Sequence, residues 1–301
     1  MTDHARVEAP AKVNLRLRIL SREDTGYHAL ETVFCAVSLA DTLDLRCGEP
    51  GIRLAVRGGV DTGPPERNLV VRAAERFHDT LGTTAGLDVE LTKRIPSTAG
   101  LGGGSSDAAA TLRALNALHG EPFTSAELLQ IAIELGSDVP FFLCGSPLAL
   151  GWGRGERLLA LPPLSVRPVL VVHPGVDMPT GEAFRRVAER RAVRTTPEAC
   201  SFGLEALSGW DGVAALADND FEPGAFEQVP VLAEAKWAMV EAGAEVSLLS
   251  GSGASLYGVF ATEAEREAAA ERITGLGPAV WRAETLASMP PVRVDPADAQ
   301  A

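Results

Sequence analysis

Apolar residues occupy alternate positions from Val7 through Ala9, Ala11, Val13, Leu15 and Leu17 to Ile19. That two-residue period predicts a half-buried strand or a bent pair of strands. Lys12, Asn14, Arg16 and Arg18 then share the opposite face. Further strands are predicted over 32–39, 43–46, 52–56 and 87–93, with Gly- or Pro-bearing turns at 48–51 and 58–65 between them. Helices follow, with readable ends. Asn68 can cap a helix whose apolar face is Val70, Ala73, Ala74, Phe77 and Leu81, and Gly82 stops it. Thr124 and Glu127 have capping-box spacing ahead of Leu128, Leu129, Ile131, Ala132 and Leu135, with Gly136 as the stop. Between them, 105–118 reads as a buried Ala/Leu-rich helix.

Pro162 and Pro163 break the pattern before an apolar strand at 169–172, which divides the chain into domains at 1–163 and 164–287. The second half reads as helices near 181–191, 231–242 and 263–274 with strands at 246–249, 255–260 and 279–286, a small α+β layer. Residues 288–301, rich in Pro, Asp and Ala, are expected to form a loose tail.

With 46% hydrophobic and 22% charged residues, the 301-residue chain has the makings of sizeable cores. Its 27 Lys and Arg against 40 Asp and Glu leave a net charge of −13, which argues against a nucleic-acid-binding surface. Any anionic substrate must therefore be held by local cations and backbone N–H groups. Cys35, Cys47, Cys144 and Cys200 are far apart and form no C-x-x-C pair, so reduced thiols in a cytoplasmic protein are expected, and no zinc site. No apolar run is long enough for a membrane helix.

The most informative stretch is I-P-S-T-A-G-L-G-G-G-S-S-D, from Ile95 to Asp107, between a predicted strand and a predicted helix. Glycines let a backbone approach a phosphate, and the first N–H groups of a helix face such a loop. No Lys-Ser or Lys-Thr follows the glycines, and no G-x-G-x-x-G occurs in the chain, so this is neither a Walker loop nor a Rossmann fingerprint. The plain alternative is a tight turn with Ser105 as an N-cap.

P-S-T-A-G-L-G-G-G-S-S-D-A-A-A at Pro96 to Ala110 resembles the nucleotide loop of the GHMP kinases, P-x-x-x-G-L-G-S/G-S/G-S-A/S. A-P-A-K-V-N-L at Ala9 to Leu15 and S-G-S-G-A-S at Ser250 to Ser255 resemble two more segments of that family, so the likeness spans nearly the whole chain. T-G-Y-H-A-L-E-T-V-F at Thr25 to Phe34, G-S-D-V-P-F-F-L at Gly136 to Leu143 and G-R-G-E at Gly153 to Glu156 are similar to one branch of it. The acceptor in that branch is a cytidine-diphosphate methylerythritol. The resemblance implies a two-domain α+β fold, with an N-terminal ATP-loop domain and a smaller C-terminal α/β sandwich. It implies phosphorylation of the acceptor's 2-hydroxyl by ATP, in non-mevalonate isoprenoid precursor synthesis, by a monomer or weak homodimer. Mg²⁺ would arrive with ATP, to neutralise the β,γ charge. A GHMP kinase for mevalonate or homoserine keeps the chemistry but leaves Gly26-Tyr27-His28 unexplained. A nucleotide-binding regulator without turnover has no need of Lys12 and Asp138 together.

By the same resemblance Lys12 steadies charge on the transferring phosphoryl group, and Asp138 accepts the proton of the acceptor hydroxyl. Alone, Lys12 reads as a solvated strand lysine, and Asp138 as the N-cap of a short helix with Pro140 in its first turn. The nucleotide would lie on Pro96, Ser97, Thr98, Ala99, Gly100, Leu101, Gly102, Gly103, Gly104, Ser105 and Ser106, with Asn68, Leu69 and Lys93 at its adenosine. Tyr27, His28 and Asn14 would read the cytidine by stacking and hydrogen bonds. Thr180 and Phe184 would line the same side, although a helix cap and a core residue explain them equally. Gly251 and Gly253 would shape a second backbone cradle, or a bulged strand connection. Arg185, Arg186, Arg190 and Arg191 read as a solvated helix face rather than a diphosphate site.

Overall fold

The computed structural model describes residues 3–22, 28–59, 62–192, 202–276 and 279–295, and stacks them as helices, sheet, sheet and helices. In the N-terminal half, strands β1 (His4–Arg22), β2 (His28–Gly48), β3 (Ile52–Arg57), β4 (Gly86–Thr92), β5 (Leu148–Gly153) and β6 (Arg157–Leu161) alternate with helices α1 (Leu69–Leu81), α2 (Gly103–Leu118) and α3 (Ser125–Leu135). The remainder runs β7 (Pro168–His173), α4 (Thr180–Ala192), α5 (Trp210–Leu216), β8 (Asp218–Asn219), α6 (Glu222–Gln228) and α7 (Pro230–Glu241). It ends with β9 (Ala244–Leu249), β10 (Leu256–Phe260), α8 (Glu263–Thr274), β11 (Ala279–Glu284) and β12 (Arg293–Asp295). One sheet is ordered β12-β1-β2-β4-β3, with β5 and β6 continuing from β2 and β8 added beside β1; the other is ordered β11-β7-β10-β9.

The local signals explain the element ends. The Asn68 side chain accepts the Val70 N–H at 2.9 Å, and Gly82 ends α1 with φ 72°. Thr124 and Glu127 form the reciprocal capping box of α3, a device whose loss costs about 1 kcal/mol. The predicted strands at 32–39 and 43–46 are one continuous 21-residue strand, β2. Its register against β1 shifts between Pro10 and Ala11, so it bends without breaking.

Three cores follow from these layers. Ala5, Val7, Ala9, Leu43 and Leu45 meet α1 to α3 through Phe77, Leu112 and Ile131. Ala11, Val13, Leu15 and Val37 meet Val169, Val171, Leu248 and Tyr257 between the two sheets. Leu170, Val172, Leu256 and Phe260 face Leu232, Met239, Ala269 and Ile273 of the outer helices. β7 is thus buried on both faces, which explains its unbroken apolar run.

Two expectations change. β1 is not half-buried: Lys12, Asn14 and Arg16 on its polar face are each under 5% exposed, because the loop leading into α2 and the β9–β10 turn close over Lys12 and Asn14, while Glu31, the Leu216 carbonyl and the Phe202 ring meet Arg16. Nor does a loose tail begin at Ser288. Met289, Val292 and Val294 pack on the first core, Arg113 donates to the Pro290 carbonyl at 2.6 Å, and β12 pairs with β1 in the register His4↔Asp295. The apolar residues among the prolines anchor this segment, and residues 296–301 lie outside the described ones.

Candidate active site

Between β4 and α2 the chain makes the glycine loop. Beneath it the Lys93 ammonium is clamped by Asp41 and, at 2.7 Å, by Asp107. Asp41 also accepts the N–H groups of Arg94 and Ile95 at 2.6 and 2.9 Å, which fixes the chain as it leaves β4. Burial pushes the Asp107 carboxyl up to about 7, since one ammonium serves two buried carboxylates. Burial alone would depress Lys93, but Asp107 and Asp41 outweigh it and hold its pKa above the ordinary value.

Gly100 has φ 76°, and a Cβ there would lie 2.1 Å from the Ser250 carbonyl oxygen, so the loop and the β9–β10 turn meet backbone to backbone. Ser250 Oγ donates to the Gly100 carbonyl at 2.9 Å, the Ser255 N–H donates to the Ala99 carbonyl at 3.1 Å, and Thr98 donates to Asp177. The loop is therefore held from both halves of the chain. Helix α2 begins after Gly102 with no side-chain cap, so Ser105 is not an N-cap and the first N–H groups stay open to an anion. The Ser106 hydroxyl is buried in that first turn without a hydrogen-bond partner. Pro96, Ser97, Thr98, Ala99, Gly100, Leu101, Gly102, Gly103, Gly104 and Ser105, with Asn68, Leu69 and Lys93, line one cavity of about 350 Å³. Of the expected nucleotide residues only Ser106 lies behind that lining, and the Lys93 ammonium is spent on its two carboxylates.

Lys12 projects from β1 against this loop, its backbone N–H donating to the Leu101 carbonyl at 2.9 Å. Its ammonium donates to Asn14 Oδ1 at 2.8 Å, lies 3.5 Å from Asp138 Oδ2 and sits 5.5 Å from the centre of the Phe34 ring. Asp138 does precede a short 3-10 helix, Val139–Leu143, but its side chain makes no capping bond and turns to Lys12 instead.

A second cavity of about 1050 Å³ lies between α4 and the N-terminal half, lined by His28, Ser137, Arg154, Thr180, Phe184 and Arg185 among others. His28 and Phe184 stack within it, with ring centres 4.6 Å apart and planes at 17°. Tyr27 lies outside the described residues. Asn14 is not part of this lining. Its amide is consumed by Lys12, by the Gly251 N–H at 2.8 Å and by Thr32 Oγ1 at 2.8 Å, so it braces Lys12 and the β9–β10 turn. Gly251 and Gly253 both lie in that turn with positive φ, and Thr180 reaches it through Ser252 at 3.1 Å. Arg185 and Arg186 pair with Glu182, and Arg190 pairs with Glu227, as a solvated helix face would.

Lys12 and Asp138 thus stand where the two cavities approach. A Cβ on Gly102, in the smaller lining, would touch the Lys12 side chain at 3.0 Å, while Ser137 of the larger lining is the residue before Asp138. Sequence reasoning missed Asp41, Asp107, Arg154, Tyr257, whose hydroxyl donates to the Asn14 carbonyl at 2.8 Å, and the segment Asn219–Glu222. Arg154 stood inside the quoted G-R-G-E; the others carried no local signal. Among the described residues no three His, Cys, Asp or Glu side chains gather as a metal site, no helix is long and apolar enough to cross a membrane, and Cys35, Cys47 and Cys144 are unpaired.

An open helix N-terminus under a glycine loop, facing a lysine–carboxylate pair, could hold a phosphate-bearing ligand against a cation and a base. Residues 68–146 match the GHMP kinases N terminal domain and residues 204–279 the GHMP kinases C terminal domain. The chain belongs to the GHMP kinase family. It is 44% identical over 263 residues to the 4-diphosphocytidyl-2-C-methyl-D-erythritol kinase of Solibacter usitatus (strain Ellin6076), covering 86% of this chain and 82% of that one. A crystal structure of 4-(cytidine 5'-diphospho)-2C-methyl-D-erythritol kinase superposes with a TM-score of 0.76 at 36% identity, over 93% of this chain and 98% of that one. Homoserine kinase from Cytophaga hutchinsonii shares the fold, with a TM-score of 0.74 at 23% identity over 98% of both chains.

Proposed function

We infer that this chain transfers the γ-phosphoryl group of ATP to the 2-hydroxyl of 4-diphosphocytidyl-2-C-methyl-D-erythritol, giving the 2-phosphate and ADP. The observation that carries the chemistry is the Lys12–Asp138 pair, 3.5 Å apart between the two cavities. The acceptor rests on the name shared by relatives 44% and 36% identical to it.

The phosphates lie on the backbone N–H groups at the start of α2, where the helix dipole favours anions. Asp138 takes the proton of the 2-hydroxyl as the new O–P bond forms and the bond to the β,γ-bridging oxygen breaks. Lys12 stabilises the charge spread over the transferring group, and its burial strengthens that interaction. The adenosine end lies at Asn68 and Leu69, and the cytidine end at His28, Phe184 and Thr180, with Tyr27 beside them in sequence. Mg²⁺ enters as the partner of ATP. The carboxylates under the loop, Asp41 and Asp107, are bound to Lys93; a Mg²⁺ carried by ATP would neutralise β,γ charge on its phosphates. We place the domain boundary at 163/164, where the chain passes between sheets, and the unpaired thiols suit a cytoplasmic enzyme.

The test is ADP release from Mg-ATP with the cytidine-diphosphate acceptor, beside mevalonate, homoserine and galactose. Turnover is expected with the first alone. Turnover with another alcohol instead would refute the acceptor and keep the kinase, and silence with all four would refute both.

A further inference from the structure

The two-residue strand β8 pairs with β1 at Arg16 and Leu17, and it delivers a buried asparagine to the back of the site. Asn219 is 2% exposed, and its amide is fully used. Nδ2 donates to the Leu249 carbonyl at 2.7 Å and the Gly251 carbonyl at 2.9 Å, while Oδ1 accepts the Phe221 N–H at 3.0 Å. The Gly251 N–H donates in turn to Asn14 Oδ1, the same oxygen that receives the Lys12 ammonium. The Gly251 residue is therefore gripped at both its polar groups by two amide side chains, one from β1 and one from β8. Its φ is 57°, and a Cβ on it would lie 3.5 Å from Lys12 Nζ and 3.2 Å from the Gly100 carbonyl oxygen. Any shift of this turn is thus felt at once by the lysine and by the glycine loop.

We propose that Asn219 is a positioning residue for phosphoryl transfer, holding the Gly251 backbone so that Asn14 presents Lys12 at the junction of the two cavities. This rests on the reading of Lys12 and Asp138 given above. Asn219 touches neither substrate cavity, so its effect should appear in the transfer step rather than in binding. A displacement of about 1 Å at such a site can cost on the order of 10²-fold in rate.

The isosteric Asn219→Asp separates this role from plain structural support. It keeps an acceptor for the Phe221 N–H but sets oxygens, without donors, against the Leu249 and Gly251 carbonyls. Ile273→Val serves as the stability control: Ile273 is fully buried in the outer-helix core, and its apolar side chain contributes no hydrogen bond to this chain. Steady-state kinetics are measured at a temperature where circular dichroism shows each variant folded. The expected result is a kcat for Asn219→Asp lower by on the order of 10²-fold, with KM for ATP and acceptor within about 3-fold, and an unchanged kcat for Ile273→Val. A kcat for Asn219→Asp within about 3-fold of wild type, or a KM for ATP that rises in proportion to the loss, would overturn the proposal. Should Asn219→Asp not fold, Asn219→Ser, which keeps one donor, decides by the same split. Should the wild type prefer another alcohol, the acceptor assignment fails by itself, and the Asn219 comparison is run with the alcohol it accepts.

Discussion

Two lysines flank the glycine loop, each with a side chain only 4% exposed, and they are served in opposite ways. Lys93 sits between two buried carboxylates that consume its charge, so it functions as a tie beneath the loop. Lys12 has one amide oxygen at 2.8 Å and one carboxylate at 3.5 Å, and that carboxylate is 32% exposed and able to turn to a substrate. Burial alone does not separate the tie made by Lys93 from the role proposed for Lys12; the number and closeness of their counter-charges differ.

The strongest challenge to that contrast is Asp138→Asn, which should lower kcat by about 10²–10⁴-fold while ATP affinity, measured by calorimetry, stays near normal. Near-normal turnover would remove Asp138 from its role. Lys93→Met should instead act on stability. It strands Asp41 and Asp107 without a cation, costing about 3–5 kcal/mol in urea unfolding, part of which returns on acidification as they protonate. An unchanged stability with a raised KM for ATP would make Lys93 an adenosine contact and dissolve the contrast. Gly100→Ala forces a positive φ on a side-chain-bearing residue, worth about 1–2 kcal/mol by itself, and should raise KM for ATP as the loop parts from Ser250. The smallest effect concerns pH. With its carboxyl raised to about 7 by burial, against about 3.9 when unfolded, native Asp107 holds more protons between those values. Its contribution to stability therefore falls as pH rises through that window and stays at its lowest above it. Asp107→Asn should accordingly lose less stability than wild type between about pH 4 and 7, read as the difference of two urea-unfolding series; parallel curves would show that Asp107 does not titrate there.

What was legible in the sequence was local. The caps at Asn68 and Thr124, the span of α8 and the glycine loop ahead of α2 all declare themselves within a few residues. The partners of the functional groups do not. Asp41 is 52 residues from Lys93, and Gly251 is 237 residues from Asn14. Asn14, expected at the cytidine, is instead engaged with Lys12, Thr32 and Gly251, and nothing near it in the chain signals those partners. Helices α5 and α6 have seven residues each, too few turns for a helical period to emerge. The β5–β6 hairpin hides behind its glycines, which blur the alternation of a strand.

The close approach of Gly100 and Ser250 has a bearing on what mutation can reach. The proposed phosphate end is built largely from main chain, and at Gly100 there is no room even for a methyl group. The proposed acceptor end is lined by side chains, His28, Arg154, Thr180 and Phe184 around an open cavity. On the proposed reading, exchanging those side chains alters the shape offered to an alcohol without disturbing the cradle for ATP. A fold partitioned in this way can acquire a new acceptor by drift at one end while the other keeps its chemistry intact.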